Sequence, residues 1–318
     1  MLCSLPLYAA VKKKYPESHI TLVVSQTNYP VPYKEINPYI DEVIAYDKSS
    51  LFSIIKFFNR LRKRKYLYGF VPSTVRISST SHIINYFSGA IKRVGVKSID
   101  GFKNPVAYLL NIKKDFYWEK DHVHQSERNL DIARLGGFDL SEEEKEIRFR
   151  FSNEDIADAD CFIRQNFPEK KIIIGFHPGA GKEASRWGEE NFLELIIELY
   201  KKYNNYVLFT CGRLDEEVVS RIVKELSVRG IPSVIEHLPL MKLAAVLDKI
   251  NLYVTNDTGT MHIAGKTRVN QISLFGPMYS YEWAPAGKNK HFFRSGSGDI
   301  NKIKITDVFE LCSKILRK

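Results

Sequence analysis

Residues 253–277, YVTNDTGTMHIAGKTRVNQISLFGP, give the clearest indication of the fold. It combines the end of an apolar strand, a polar turn, a helix at Thr260–Lys266 and a second apolar strand at Val269–Phe275. A strand, a loop and a helix start in this order can hold phosphates, because unpaired N–H groups and the positive end of the helix dipole face the ligand. The stretch therefore predicts a parallel α/β sheet with an anion site at its carboxyl edge.

Simpler explanations of the Asp257-Thr258-Gly259 turn stay open. Asp257 and Thr258 could serve only as a helix cap, and His262, about one turn further on, could be an ordinary packed core residue. Asp-Thr-Gly is also the signature of aspartic proteases, which need two such carboxylates that share one proton. The sequence carries a single copy inside an α/β pattern, which argues against a protease.

A second segment of the same kind is KIIIGFHPGAGKEASRW, residues 171–187. The apolar strand Ile172–Phe176 leads into a loop of small residues through which a ligand can approach the backbone, and the helix Glu189–Tyr203 follows. Lys182 and Arg186 offer positive charge to a phosphate. The loop matches neither GxGxxG nor GxxxxGK[ST], so by itself it is a weak indication of a nucleotide site.

A third polar loop, which contains Asp215 and Glu216, lies between the predicted strand Tyr206–Cys211 and the predicted helix Glu217–Ser227. Together with the two loops above, it would open on one carboxyl edge of a parallel sheet, which is where open α/β folds bind their ligands. The C-terminal half is therefore the expected ligand-binding half.

The length of the chain, 318 residues, exceeds what one core usually organises, so two domains are expected. We place an N-terminal domain at residues 1–155 and a C-terminal domain at residues 156–318, because a polar run leads there into a helix that ends before Pro168. Strand and helix signals alternate throughout, which predicts α/β with parallel sheets. The predicted strands are Ile20–Val24, Glu42–Ala45, Tyr68–Val71, Ile172–Phe176, Tyr206–Cys211, Ser233–Glu236, Leu252–Thr255 and Val269–Phe275.

Four segments carry a family resemblance: LPLYAAVKKKYPESHITLVV (residues 5–24), HPGAGKEASRW (177–187), CGRLDEE (211–217) and NDTGTMHIAGKTRVNQISLFGP (256–277). Together they resemble glycosyltransferase family 9, the heptosyltransferases that build the inner core of lipopolysaccharide. The resemblance covers nearly the whole chain, and the Asp-Thr-Gly-x-x-His loop followed by Leu-Phe-Gly-Pro is its most specific part. It implies two Rossmann-like domains that face each other across a cleft, the GT-B type.

The resemblance implies an inverting glycosyltransferase that moves a heptose from an ADP-linked donor to a lipopolysaccharide core acceptor. It implies neither a metal nor another cofactor. The donor would bind the C-terminal domain, and the lipid-linked glycan acceptor the N-terminal domain. The resemblance implies that Gly179 and Ala180 lie beside the donor diphosphate and that Glu216 binds the ribose hydroxyls. The heptose and phosphate contacts fall to four residues of one loop, Asp257, Thr258, Gly259 and His262.

One residue in the donor site departs from the family pattern. Ser185 stands where members usually carry the Lys that neutralises the leaving diphosphate, so Arg186 or Lys182 would have to take that role. A guanidinium and an ammonium are not interchangeable at close range. We therefore expect donor preference and rate to differ from those of the usual pattern.

A larger departure concerns the N-terminus. The family's first strand and its Gly-Asp loop correspond to positions before Met1, and the Asp of that loop is the family's proposed general base. We expect a start site upstream of Met1; a truncated relict and a fold patched by another element are the alternatives. Without that strand, two neighbouring strands of the first sheet would lose a hydrogen-bonding partner.

Charge is distributed unevenly along the chain. Residues 1–120 hold nineteen Lys and Arg against eight Asp and Glu, whereas residues 121–318 hold twenty-eight against twenty-nine. Such an excess would attract a phosphorylated lipid acceptor at an anionic membrane. The segment Leu51–Phe70 fits either a helix on the bilayer surface or a core-packed helix with a basic end. No nucleic-acid recognition motif accompanies the basic residues, so nucleic acid is not an expected partner.

The sequence also bears on location. No apolar run reaches about 18 residues, no signal peptide opens the chain, and the four scattered cysteines suit a reducing compartment. We expect a cytoplasmic protein, peripheral at the inner face of the inner membrane. His122 and His124 are expected to begin a helix rather than to bind a metal. Arg128 on that helix is the expected acceptor or phosphate contact.

Two other functions stay open. The chain could be a non-catalytic, degenerate nucleotide-sugar-binding protein, which an absent general base would favour. It could also be a sugar-nucleotide epimerase, because the same two-domain fold hosts several chemistries.

Overall fold

A computed structural model describes residues 2–28, 31–212 and 215–317. Contacts divide the chain into two compact units, the N-terminal unit (Met1–Ile147) and the C-terminal unit (Arg148–Lys318). In the described part, no helix combines the length and apolar character that crossing a bilayer requires.

The N-terminal unit alternates helices and strands. Its helices are α1 (Leu5–Lys14), α2 (Tyr33–Ile36), α3 (Leu51–Leu61), α4 (Ser79–Phe87) and α5 (Gln125–Leu135). Its strands are β1 (Thr21–Ser25), β2 (Glu42–Tyr46), β3 (Tyr68–Phe70), β4 (Lys92–Ile99), β5 (Phe102–Lys103) and β6 (Ile112–Phe116). Short 3-10 helices cover Leu2–Ser4, Gln26–Asn28 and Ala107–Leu109.

Two separate sheets form in this unit. β1 pairs in parallel with β2, while β4 pairs in parallel with β3 and β6 and antiparallel with β5. Among the residues described, no strand pairing joins the two sheets. α1 packs against α5 through Leu7, Leu130 and Phe138, and the side chains of both β1 and β3 reach this cluster. β1 and β3 therefore each present an unpaired edge within the described part of the chain.

Polar side chains fix where three helices of this unit begin. Ser50 and Ser78 accept hydrogen bonds from backbone N–H groups at the starts of α3 (3.0 Å) and α4 (3.2 Å). Nδ1 of His124 accepts from the N–H of Ser126 (3.2 Å), so His124 is the N-cap of α5. The predicted helix start at this histidine is confirmed. Such caps satisfy backbone donors that have no partner within the helix.

The C-terminal unit is a second α/β unit. Its helices are α6 (Asn153–Asn166), α7 (Glu189–Tyr203), α8 (Glu216–Val228), α9 (Leu240–Leu247), α10 (Gly259–Ala264), α11 (Ser280–Trp283) and α12 (Ile305–Leu316). Its strands are β7 (Ile173–His177), β8 (Tyr206–Thr210), β9 (Ser233–Glu236), β10 (Leu252–Asn256), β11 (Asn270–Phe275) and β12 (Lys290–Arg294). Short 3-10 helices cover Glu183–Ser185 and Ile300–Lys302.

All six strands of this unit form one parallel sheet, in the order β12-β11-β10-β7-β8-β9. β7, β8 and β10 are buried along their whole length, as expected for strands with helices on both faces. Trp187, Phe192 and Leu195 at the start of α7 join Ile174, Phe176 and Val254 of the strands in a continuous apolar core. The loops at the edge of this sheet are thus attached to strands that are packed into one core.

The boundary predicted between residues 155 and 156 falls inside α6, whereas the contacts divide the chain between Ile147 and Arg148. α6 belongs to the C-terminal unit because Asp158 and Asp160 pair with Lys242 and Lys249 of the α9 region. A helix on one domain's surface cannot be divided between two domains. The polar run, residues 141–160, therefore leads into the first helix of the C-terminal unit, which begins at Arg148.

All eight predicted strands are present, with ends shifted by at most about one residue, as is usual for such assignments. Four other strands, β4, β5, β6 and β12, were not predicted. All four contain lysine, and in β4 and β6 lysines stand within the strand between apolar residues: Lys97 in β4, and Lys113 and Lys114 in β6. Strands that alternate between buried and charged positions give a weaker signal than continuously buried ones.

Candidate functional site

The candidate site lies at the carboxyl edge of the six-stranded sheet, between β7 and β10, where the strand order reverses. From the central β7 the chain continues to β8 and β9 on one side, and it then returns to β10, β11 and β12 on the other side. The loops that follow β7 and β10 therefore leave adjacent strands in opposite directions. Such a switch point creates a crevice in which open α/β sheets bind ligands, and both predicted donor loops lie there.

Asn256, the last residue of β10, joins these two loops. Its buried side chain donates to the carbonyl oxygens of Pro178 (2.8 Å) and Gly179 (3.3 Å) and accepts from the N–H of Trp187 (3.2 Å). One amide thus fixes both ends of the loop between Pro178 and Trp187. Sequence reasoning did not select Asn256; the available signal is a polar residue at the end of a buried strand, which must find partners.

Close packing requires glycine at two positions around this loop. A Cβ on Gly179 would lie 2.0 Å from Cγ of Asp215, and one on Gly276 would lie 2.3 Å from the carbonyl oxygen of Ala184. A Cβ on Gly181, by contrast, would meet no atom within 4 Å. The loop is therefore held between the start of α8 and the end of β11, and only its exposed tip tolerates larger residues.

The two cations of this loop have different surroundings. Nε of Arg186 donates to the carbonyl oxygen of Ala180 (2.9 Å), and its guanidinium lies 3.8 Å from the Asp215 carboxylate. Lys182 is exposed and makes no ion pair with a described residue. Ser185 is buried and brings no charge. Lys182 is therefore the cation of the loop that remains available to an anionic ligand.

The loop after β10 carries Asp257, Thr258 and Gly259. Burial raises the pKa of the Asp257 carboxyl above its usual value, and the charge of Lys182 opposes this rise. Thr258 occupies the N-cap position of α10, but its side chain makes no capping bond; its hydroxyl is 2.8 Å from that of Thr260. The helix-cap alternative is therefore not supported for Thr258. α10 ends at Ala264 and is shorter than predicted.

His262 lies about one turn into α10. Its ring contacts Trp283 of α11 edge-on, with 6.1 Å between the ring centroids. The side chain is only half-buried. One side of the ring is thus packed, as the core alternative expected, while part of the ring stays accessible at the site.

The loop after β8 presents two acidic residues in different environments. Glu216, the first residue of α8, is exposed, whereas Asp215 is buried. Oδ1 of Asp215 finds no hydrogen-bond donor among the described residues, and Oδ2 lies 3.7 Å from Nε2 of His177. Sequence reasoning selected Glu216 and not Asp215, although a buried carboxylate oxygen without a donor is costly and usually has a function.

A row of buried polar side chains crosses three strands beneath the loops. Nδ1 of His177 lies 2.8 Å from the Thr210 hydroxyl, which lies 2.7 Å from the Tyr253 hydroxyl. Burial lowers the pKa of His177 and raises the pKa of Tyr253 to about 12. Burial also raises the pKa of Glu236, at the end of β9, to about 7. His177 and Tyr253 are therefore neutral at pH 7 and support the loops through hydrogen bonds.

Arg128, the predicted acceptor contact, lies in the N-terminal unit on α5. Its guanidinium is buried, donates to the carbonyl oxygens of Val123 (2.8 Å) and Thr74 (3.2 Å), and lies 5.8 Å from the Trp118 ring centroid. These contacts give Arg128 a structural role in its own unit. A role in acceptor binding stays a prediction.

The sequence profile of glycosyltransferase family 9 (heptosyltransferase) matches residues 55–312. Lipopolysaccharide heptosyltransferase 3 of Escherichia coli K12 is 21% identical over 312 residues, which cover 93% of this chain and 85% of that protein. Lipooligosaccharide heptosyltransferase 2 of Campylobacter jejuni is 24% identical over 186 residues, 57% of this chain and 56% of that protein. The chain thus spans little more than half of the Campylobacter relative.

Solved structures give the same result for the fold. E. coli ADP-heptose LPS heptosyltransferase II has a TM-score of 0.76 at 20% identity, over 99% of this chain and 95% of that one. An E. coli heptosyltransferase with ADP-2-deoxy-2-fluoro heptose has a TM-score of 0.68 at 18% identity, over 98% and 95% of the two chains. The fold class is α/β with parallel sheets, of the GT-B type. Because the family profile matches most of its length, this chain belongs to glycosyltransferase family 9, the heptosyltransferase family.

Proposed function

We propose that this protein is an inverting glycosyltransferase that transfers a heptose from an ADP-linked donor to a lipopolysaccharide core acceptor. The observation that carries the proposal is the convergence of the family's two donor loops at the switch point, where Asn256 joins them. A related enzyme of the same fold was solved with ADP-2-deoxy-2-fluoro heptose, which supports an ADP-linked donor.

In this proposal the loop after β7 binds the donor diphosphate. The backbone at Gly179 and Ala180 lies beside the phosphates, in a loop that Asn256 and the close packing of Gly179 on Asp215 hold in place. Lys182 supplies the charge that Ser185 does not, and Arg186, which is held by Ala180 and Asp215, supplies a second positive field. Two cations at a leaving diphosphate stabilise the charge that develops as its bond to the sugar breaks.

The other two loops bind the sugar and the ribose. Glu216 at the start of α8 accepts hydrogen bonds from the ribose hydroxyls, as an exposed carboxylate can. The heptose and the phosphates are contacted by Asp257, Thr258, Gly259 and His262 of the loop after β10. Asp257 binds sugar hydroxyls in this scheme and does not transfer the reacting proton.

The reaction is a direct displacement. The acceptor hydroxyl oxygen forms a bond to the anomeric carbon as the bond from that carbon to the diphosphate oxygen breaks, so the configuration inverts. A general base takes the hydroxyl proton. We assign this role to no described residue. The N-terminal unit, with its positive charge, is the proposed acceptor side, and the cytoplasm the proposed location.

An assay of ADP release tests this function. With ADP-heptose and a heptose-accepting core lipid, the protein is expected to release ADP and extend the acceptor, and Lys182→Ala is expected to slow this by about ten- to a hundredfold through a lost charge-assisted contact. Lys170→Ala, on the exposed surface, is the matched control. No transfer together with intact ADP binding would favour a non-catalytic binder. Conversion of the donor sugar without an acceptor would favour an epimerase.

A further inference from the structure

A surface patch on the N-terminal unit points to a partner other than the sugar substrates. Residues 48–99 contain no Asp or Glu at all but eleven basic residues, namely Lys48, Lys56, Arg60, Arg62, Lys63, Arg64, Lys65, Arg76, Lys92, Arg93 and Lys97. This stretch includes α3, β3, α4 and β4. It also carries large exposed apolar side chains, among them Leu51, Phe52 and Ile91.

α3 is packed on one face and apolar on the opposite face as well. Phe57 and Leu61 are buried against Ile44 and Ile84, which anchors the helix. On the other side, Leu51, Phe52 and Ile55 are 73%, 75% and 51% exposed. The helical period places these three roughly opposite the anchoring pair. α3 is thus packed against the core on one face, as the core-packed alternative expected, and carries exposed apolar side chains on the opposite face.

α4 extends the apolar surface. Ile83, Tyr86 and Phe87 are exposed on one side of α4, and Ile91 just beyond it is 67% exposed. The ring of the exposed Phe87 lies 5.8 Å from that of the half-buried Phe58 on α3, so the apolar surfaces of the two helices meet at this pair. Contiguous apolar surface of this kind on a soluble domain usually marks an interaction site.

The cations around this patch are largely unused within the protein. Glu42 pairs with Arg60 (3.0 Å) and lies 3.6 Å from Arg64. Five other cations form no ion pair within the described residues, namely Lys48, Lys56, Arg62, Lys63 and Lys65. Lys56 lies on α3 itself, next to its exposed apolar face by helical period, and Arg62 and Lys63 follow directly after the helix ends at Leu61.

We propose that this patch, formed by α3, α4 and Ile91, docks on an anionic lipid bilayer. Exposed aromatic and aliphatic side chains would enter the boundary between headgroups and acyl chains, and the surrounding cations would bind the anionic headgroups. A protein partner would have to be strongly acidic over the same area. A lipid surface matches the combination of apolar centre and cationic surroundings directly. The proposal concerns the N-terminal unit and does not depend on the identity of the donor.

Vesicle co-sedimentation tests the proposal with phosphatidylcholine vesicles that contain or lack phosphatidylglycerol. The protein is expected to bind the anionic vesicles, to bind neutral ones much more weakly, and to dissociate as salt rises. Lys63→Glu with Lys65→Glu, or Leu51→Ser with Phe52→Ser, is expected to weaken binding at least tenfold. The matched controls in the C-terminal unit are Lys170→Glu with Lys302→Glu and Val228→Ser, all at exposed positions.

Two further measurements separate docking from its alternatives. Phe52→Trp is expected to give a blue-shifted emission on anionic vesicles, quenched by brominated acyl chains, which pure headgroup attraction would not produce. Absence of binding to anionic vesicles, or equal binding by patch and control variants, would overturn the proposal.

A concentration-dependent dimer that the Leu51→Ser, Phe52→Ser variant abolishes would also overturn it, because the patch would then bind a second copy. Calorimetric binding of ADP should be the same in all these variants, so a failure of the donor assignment would be seen separately.

Discussion

The two units are built from the same kinds of elements but differ in how completely their sheets are joined. The C-terminal unit has one sheet of six parallel strands over a continuous core, whereas the described part of the N-terminal unit has two sheets and several smaller apolar clusters. A continuous sheet holds loops from different strands in a fixed relation, which a phosphate site requires. The split unit instead exposes cationic and apolar surface. Precise donor binding is therefore expected of the C-terminal unit, and broader surface contacts of the N-terminal unit.

The largest expected effect tests whether Asn256 holds the donor loops. Asn256→Ala removes the partners of two carbonyls and one N–H inside the protein, so we expect the free energy of unfolding to fall by about 3–4 kcal/mol. We expect ADP binding to be lost as well. Denaturant unfolding of the variant measures the first effect. Asn301→Ala removes an amide bonded to Gly188 N (2.8 Å) at an exposed position and should cost less than about 1 kcal/mol. Equal losses of unfolding free energy in the two variants would mean that Asn256 does not hold the donor loops in place.

The second prediction concerns the packing of Gly179 on Asp215. Gly179→Ala places a methyl group where no space exists, so a stability loss of about 2–3 kcal/mol is expected, together with at least tenfold weaker ADP binding. Gly181→Ala has open space and is the matched control. Calorimetry and thermal unfolding of both variants give the comparison. Because the clash involves one side chain, adding Asp215→Ala to Gly179→Ala should restore part of the stability, and failure to do so would contradict the packing argument.

The third prediction uses the buried carboxyl of Glu236. Burial raises its folded-state pKa from the ordinary value of 4.5 to about 7. A raised pKa means that its contribution to stability is fully present below about 4.5 and is lost as the pH rises through about 7. Glu236→Gln should therefore exceed the wild type in stability by about 2 kcal/mol at pH 8 and should match it near pH 4.5. Denaturant unfolding of both proteins at the two pH values measures this, and a pH-independent difference would contradict it.

The smallest effect compares the two units directly. Val254 is fully buried in β10, whereas Val23 in β1 is only half-buried. Val254→Ala should lower the stability of its unit by about 2 kcal/mol, and Val23→Ala by about 1 kcal/mol or less. Because the units need not unfold together, hydrogen exchange at each strand is the appropriate measurement. A larger loss at Val23 would mean that the two sheets differ less in rigidity than their strand pairing implies.

How much the sequence predicts depends on whether a residue acts through its own strand or through a distant one. Val254 and Phe176 belong to continuous apolar runs and could be assigned to buried strands. The Asp257 loop could be recognised because a strand, a polar turn and a helix follow one another there in the sequence. Asn256 and Asp215 could not be selected, because their importance comes from Pro178, Gly179 and Trp187, which the strand order brings close. β6 was missed because Lys113 and Lys114 interrupt its apolar pattern, and β12 because its apolar run consists of only Phe292 and Phe293. The sequence left open whether α3 lies on a bilayer or packs in the core. The burial of Phe57 and Leu61 shows which side of the helix packs.

The most direct test of the central claim is calorimetric titration of the protein with ADP, UDP, GDP and CMP. We predict selective binding of ADP, weakened by Lys182→Ala, Asp257→Ala or Glu216→Ala and unchanged by Lys170→Ala. Equal affinity for all four nucleotides, or no binding by a folded protein, would contradict the assignment of the switch-point loops as an ADP-sugar site.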